Sequence, residues 1–491
     1  MNYLAIERKK EDIKNLLILF GCFLFAQLLF SCFTSPLFPY NAGDDSAIFS
    51  LMGKGITEGK ILYIDLFDHK GPLIFFIDAL GHLLGGRLGI FFLQCCSGFC
   101  ALSAMYFCGK QLRYSKRYTS FLECFFIFFA GFSVFIYAMQ GGNLTEEYSV
   151  LFISTAIYFI VKYSVSAAEQ VQHPPVYAFV YGICFTLLAF LRLNNAVTIC
   201  AGVLPIILFL LYKKEYKNVL LNLLFGVLGI AVVAAPIGIY FHNHDALDEM
   251  IGAAFLHNFQ IMGSQSHFSL MWYPIRYTTL YLPLIICILM LALHLYRTKK
   301  AEFVDVVFGS ILFFNLINLW IANRFQHYFL VFMPVYILFL NRYFTIEKNN
   351  IIRIFVIICT VLHILFAGYF FGGRIYRYLE GSTTSRYETI CSDMSKIPED
   401  ERDSVIGYMV RAEDYLHGDI IPCYKYYTLQ EGWAQVNPEI LTDFMNYLRS
   451  KNRPLWVFTN PDEDSQELAD ILSEHYSLQF KSEYLIFYRV K

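Results

Sequence analysis

Apolar residues in this chain fall in long blocks rather than in alternation. Stretches almost free of charge recur at 14–35, 88–108, 118–138, 148–163, 176–192, 195–212, 219–241, 275–296, 303–321, 327–340 and 351–371. A helix needs roughly 20 apolar residues to cross a bilayer, so the blocks predict about eleven transmembrane helices, those near 148 and 327 being short. Residues 71–85 are apolar but too few to span, and predict a helix lying beside the membrane. Near residue 380 the pattern changes. Residues 405–410 and 455–459 read as strands, and Asn437-Pro438-Glu439 opens a helix. Asp464 and Glu467 are spaced as a capping box, and 484–490 alternates as a last strand. The expected fold class is an α-helical polytopic membrane domain, 1–375, followed by a small soluble α/β domain, 380–491.

Composition agrees. The chain is 57% hydrophobic and 16% charged, where soluble proteins are about a quarter charged. Its formal net charge of -2 speaks against a nucleic-acid footprint. Residues 13–33 are too long for a cleavable signal and are expected to form the first span. Of 13 cysteines, those outside apolar surroundings are Cys391 and Cys423, which a disulfide could join. No spacing reads as a zinc site.

Basic clusters set an orientation. Arg8-Lys9-Lys10, Lys110 to Arg117, Lys213-Lys214 with Lys217, Arg297 with Lys299-Lys300, and Arg342 with Lys348 all fall on one side of the predicted spans. The opposite loops, 139–147 and 242–274, carry no Lys or Arg. Positive loops stay cytoplasmic, so the expectation is a cell (inner) membrane protein with its N-terminus inside and its tail outside.

On that outer side lies the densest chemistry. Residues 41–73 hold Asp44, Asp45, Asp65, Asp68, His69 and Lys70, between two apolar blocks. Ionisable groups beside a bilayer are costly and mark function by default, a solvated loop being the bland alternative. An enzyme facing outward has no nucleotide sugars at hand, so an activated sugar must arrive on a lipid phosphate. Lys70 stands where its phosphate would need a cation, ahead of a helix whose first amides add positive potential. Gly71 permits close backbone approach and Pro72 suits a first helical turn. Lys70 could equally snorkel to headgroups. Asp44 or Asp45 could take the proton of an acceptor hydroxyl during a displacement that inverts the anomeric carbon. Either could equally cap the helix that follows.

Taken together, Asp-Asp-Ser-Ala-Ile-Phe, Gly53-Lys54, Gly59 and Tyr63-x-Asp65-Leu-Phe-Asp-His-Lys-Gly-Pro72 resemble the first outer loop of GT-C glycosyltransferases. The likeness is to the bacterial polytopic type related to protein O-mannosyltransferases and the lipid A aminoarabinose transferase. That resemblance implies a catalytic Asp in this loop, here Asp45 with Asp44 as the alternative, and a polyprenyl-phosphate sugar as donor. It implies a phosphate contact from a Lys-Pro-Pro turn, for which this chain has Lys70-Gly71-Pro72. It also implies a second acidic site at Glu146-Glu147, orienting the acceptor or sharing a divalent metal ion with Asp44. Arg324 and His327, in a late outer turn before Pro334, become donor-phosphate contacts. Arg192, with Asn194-Asn195, is a weaker candidate of the same kind, and Asp65, Asp68 and His69 support the loop. The implied partners are the lipid-linked donor, membrane lipids and a glycan, lipid or protein acceptor; no cofactor beyond the metal is implied.

Two other readings stay open. An O-antigen ligase or polymerase would rely on a late outer loop, and His242, His244, His257 and His267 lie in 242–274. A lipid or sugar transporter would place polar residues on paired broken helices near the midplane, and the chain has no such repeat.

Overall fold

A chain in hydrocarbon must satisfy its backbone N–H and C=O groups within itself, which is why the apolar blocks become helices. In the computed structural model, which describes residues 2–38, 43–112, 121–258, 274–321, 326–344, 349–379 and 382–491, the chain divides into two compact units. One comprises Met1–Ser31, Leu93–Gly238 and Ser266–Gly372; the other comprises Cys32–Phe92, Ile239–Gln265 and Gly373–Lys491.

In chain order the long helices are α1 (Asn2–Phe30), α2 (Asp44–Thr57), α3 (Pro72–Leu83), α4 (Arg87–Leu112), α5 (Phe121–Ala138) and α6 (Thr145–Ser166). They continue with α7 (Pro175–Arg192), α8 (Val197–Tyr212), α9 (Tyr216–Asn243), the short α10 (Leu247–Ile251), α11 (Pro274–Thr298), α12 (Phe303–Ile321), the short α13 (Met333–Phe339) and α14 (Asn350–Leu379). Among the described residues six helical stretches are long and apolar enough to cross a membrane, α7 and α8 counting as one because a 3₁₀ turn joins them. Leu220, Leu223 and Leu224 on α9 are exposed, as lipid-facing leucines are. This is a multi-pass membrane protein. The block at 327–340 departs from a regular span: it starts as a 3₁₀ turn, Gln326–Phe332, and ends in a π turn, Leu340–Phe344.

Within the first unit, helices approach closely where side chains vanish. A Cβ on Gly182 of α7 would land on the Gly226 carbonyl of α9. Small residues let membrane helices pack backbone to backbone in this way. Arg342, expected as a loop anchor, is instead buried. Its Nε donates to Asp305 Oδ1 at 2.8 Å and its Nη2 to Glu302 Oε2 at 3.1 Å, while Tyr343 Oη donates to Asp305 at 2.8 Å.

The second unit joins the α2–α3 pair to the tail. The tail carries α15 (Ser382–Met394), β1 (Val405–Tyr408), α16 (Ala412–His417), α17 (Gln430–Ala434), α18 (Glu439–Arg449), β2 (Trp456–Thr459), α19 (Gln466–His475), β3 (Tyr476–Lys481) and β4 (Ile486–Val490). The sheet order is β1-β2-β4-β3, with β1 and β2 parallel and β4 antiparallel to both β2 and β3. β1 and β2 are buried along their whole length, as parallel strands covered on both faces are. Ser465, rather than Asp464, caps α19, accepting from the Leu468 N–H. Cys391 and Cys423 are both free, so no disulfide staples the tail.

Candidate functional site

The 43–72 segment is built by two helices and a tight loop. Gly43, with φ 119°, is the N-cap of α2, so both Asp44 and Asp45 lie in the first turn rather than at the cap. Acidic side chains there suit the helix dipole. The loop closes on itself: Asp65 Oδ2 accepts from the Ile61 N–H at 2.7 Å, and Tyr63, at φ 69°, donates its N–H to the Leu66 carbonyl at 2.7 Å. Asp65 is thereby spent on its own turn.

Lys70 is the centre of what remains. Its backbone N–H donates to Asp68 Oδ1 at 2.8 Å, and its carbonyl accepts from the Tyr63 hydroxyl at 2.8 Å. The ammonium, on a side chain 7% exposed as a residue, lies 3.1 Å from His69 Nε2 and 5.8 Å above the Phe49 ring. No carboxylate among the described residues comes within 4 Å of it, so no ion pair balances its charge. Asp45 and Phe49 are four apart on α2 and share a face. Burial lifts the Asp68 carboxyl above its ordinary range, Lys70 opposes the rise, and the Asp45 charge adds to it. Asp68 thus interacts electrostatically with both Lys70 and Asp45. Burial also pushes the Tyr63 hydroxyl up, with Asp68 adding to the push. Gly71 caps α3 with no side chain on its amides, and Pro72 takes the first position. A buried ammonium and the uncapped first amides of a helix are each features that suit an anion.

The tail closes over this turn. Phe67 donates its N–H to the Lys425 carbonyl at 3.0 Å, and its ring meets Tyr426, Trp433 and His257. Tyr427 is fully buried, its hydroxyl has no hydrogen-bond partner, and the charge of Asp68 raises its pKa further. None of these tail residues stands out in the sequence, because tyrosine and tryptophan are common core residues. His257 is also buried, with Nε2 unpartnered.

The first unit holds the other acids. Glu146 Oε1 accepts from Arg192 Nη1 at 3.0 Å and Oε2 from Thr145 Oγ1 at 2.8 Å. The Arg192 guanidinium lies 3.9 Å above the Tyr328 ring. His327 Nδ1 is 2.8 Å from Gln140 Oε1, in reach of the Glu146 charge. So Glu146, Arg192 and His327 form one group. Glu147 goes elsewhere: its oxygens accept from Gln27 Nε2 and Gln94 Nε2, each at 2.7 Å, and from the Asn143 N–H at 2.8 Å. Gln27 and Gln94, amides inside apolar helices, are the signal sequence reading passed over. Arg324 lies outside the described residues, as does the Asp44 side chain. Among the described residues no three His, Cys, Asp or Glu side chains are grouped to hold a metal ion.

A family model described as "Putative competence-induced protein Ccs4 N-terminal domain" matches residues 7–369. Nothing among the curated proteins matches the chain. Two solved structures resemble it throughout. ArnT from Cupriavidus metallidurans bound to undecaprenyl phosphate aligns with a TM-score of 0.61 at 12% identity, over 96% of this chain and 97% of that one. ArnT from the same organism in the apo state gives 0.55 at 11% identity, with the same coverage. The chain therefore has the GT-C fold.

Proposed function

The chain belongs to the competence-induced protein Ccs4 N-terminal domain family over residues 7–369, and from the fold and the site we propose that it is an inverting glycosyltransferase. It takes a sugar from a polyprenyl-phosphate donor and passes it to an extracytoplasmic glycan, lipid or protein. The observation that carries the reading is the Lys70 ammonium, buried and in ion-pair contact with no carboxylate among the described residues. A buried cation with no carboxylate in direct contact is costly, and a lipid phosphate would supply an anion there. The solved GT-C structure with undecaprenyl phosphate bound supports that choice of ligand class.

In this reading Lys70 and the first amides of α3 hold the donor phosphate and stabilise the charge that gathers there as the glycosidic bond breaks. Asp45, on the face of α2 that carries Phe49, accepts the proton of the acceptor hydroxyl; Asp44 is the alternative base. Asp68 fixes the turn by accepting the Lys70 N–H. Glu146, Arg192 and His327 form a second polar group for the acceptor or donor, and Arg324 remains a candidate beside His327. The reading uses no metal ion: Glu147, one of two positions considered for one, spends its oxygens on three N–H donors. The active loop and the tail face outward, consistent with the charge of the loops. A ligase would draw on the loop histidines instead. Of these, His257 packs against the Phe67–His69 turn, which favours the first reading.

The test is sugar transfer from labelled polyprenyl-phosphate donors by membranes containing full-length protein. Asp45→Asn should lower transfer by about 10²–10⁴-fold, the usual weight of a general base. Lys70→Ala should raise the donor KM or abolish turnover, with normal membrane insertion. Transfer that survives Asp44→Asn, Asp45→Asn and Lys70→Ala together would overturn the reading.

A further inference from the structure

Trp433 lies far from Lys70 in sequence and close to it in the second unit. Its ring centroid is 5.0 Å from that of His69, 5.7 Å from Phe67 and 5.8 Å from His257. The imidazole it flanks is the one that contacts the ammonium, with Nε2 3.1 Å from Lys70 Nζ. The backbone beneath is fixed independently, since Asn258 Nδ2 donates to the His69 carbonyl at 2.8 Å. What remains to be set is the direction of the ring, and Trp433 stands against it.

Trp433 is itself held by the sheet. It rides on α17, which begins after Leu429 in a left-handed conformation at φ 55°. Gln430, fully buried, clamps that helix to the end of β1: its Oε1 accepts from the Met409 N–H and its Nε2 donates to the Gly407 carbonyl, each at 2.9 Å. A continuous path of short contacts thus leads from β1 through Gln430, Trp433 and His69 to the ammonium.

We propose that Trp433 is a positioning residue for the anion site at Lys70, so that the tail forms part of the donor site. The inference rests on Lys70 being a phosphate ligand. A lysine ammonium on a flexible four-carbon stem keeps much rotamer freedom, and a lone turn cannot hold it. His69 takes one of its three N–H donors and aims the other two. Trp433 keeps His69 in that pose. Tyr427, whose buried hydroxyl is unpartnered within reach of the Asp68 charge, belongs to the same wall.

The experiment measures undecaprenyl phosphate binding to detergent-solubilised full-length protein by native mass spectrometry, with melting temperature recorded alongside. Trp433→Ala should weaken binding about tenfold, and Trp433→Phe should restore most of it. Trp433→Leu keeps apolar volume without a flat ring, and should bind as weakly as the alanine variant at near-normal melting temperature. If Trp433→Leu binds like the unmodified protein while Lys70→Ala does not, the proposal falls and the proposed function stands. If the unmodified protein itself fails to bind, the reading of Lys70 falls first and takes this inference with it.

Discussion

Glu146 and Glu147 are neighbours in sequence and opposites in circumstance. One pairs with a guanidinium, the other with two amides and a backbone N–H. A pair of adjacent letters cannot reveal that division, because the guanidinium and the two amides are brought in from 46, 53 and 120 positions away. A comparable tail residue makes a pH prediction. Asp414 is fully buried, and burial outweighs Arg386 at 2.7 Å to lift its carboxyl to about 6. The unfolded chain ionises this group near 4, so its contribution to stability is fully present below that pH and is lost as pH rises through 6. The loss is about 3 kcal/mol, at roughly 1.4 kcal/mol per pH unit. Thermal melts of the full chain between pH 4 and 7 should show the fall, and Asp414→Asn should flatten it. Asp45 and Lys70 could be picked out from sequence because charge amid hydrocarbon is conspicuous. Asp65 could not be told from them, since a carboxylate turned on its own backbone spells the same as one turned on a ligand.

At the scale of elements, α2 and α3 form the frame that fixes the charged loop. They touch at Gly53, where a Cβ would come within 2.6 Å of Asp78 Cβ and 2.7 Å of the Ala79 backbone nitrogen. His82 Nε2 pins the pair further along, at 2.9 Å from the Ser50 carbonyl. Gly53→Ala should therefore force the helices apart, lowering stability by about 1–3 kcal/mol as overpacking does. A lower melting temperature accompanied by weaker undecaprenyl phosphate binding would check it; an unchanged melting temperature would show that the contact yields. Blocks such as α4 and α9 are plain in the sequence because twenty apolar letters admit few structures in a bilayer. β3 is not, because its inner and outer positions are mostly solvated and its alternation is faint. The broken stretch from Gln326 to Phe344 reads as one apolar run, since letters report polarity and not where a helix tightens or widens.

For the molecule as a whole, the proposed orientation is open to chemistry. On a cysteine-depleted background, Glu58→Cys, on exposed loop, should react with an impermeant maleimide added to intact cells, while Lys214→Cys should not. The reverse pattern would invert the topology and end the proposal of an outward site. Family likeness ends at residue 369, yet the second compact unit draws residues on both sides of that limit together. Chain order alone gives no hint of this, because the 43–72 segment and the tail are some 300 positions apart and meet through aromatic rings and hydrogen bonds such as those of the Gly43 N–H to Glu413 and of Lys54 to Asp419. The sheet order has a temporal consequence. β4, residues 486–490, is inserted between β2 and β3, so the ribosome delivers an inner stave of the sheet after nearly everything around it. Until then β2 and β3 have no common neighbour. Closure of the four-stranded sheet therefore waits on residues 486–490.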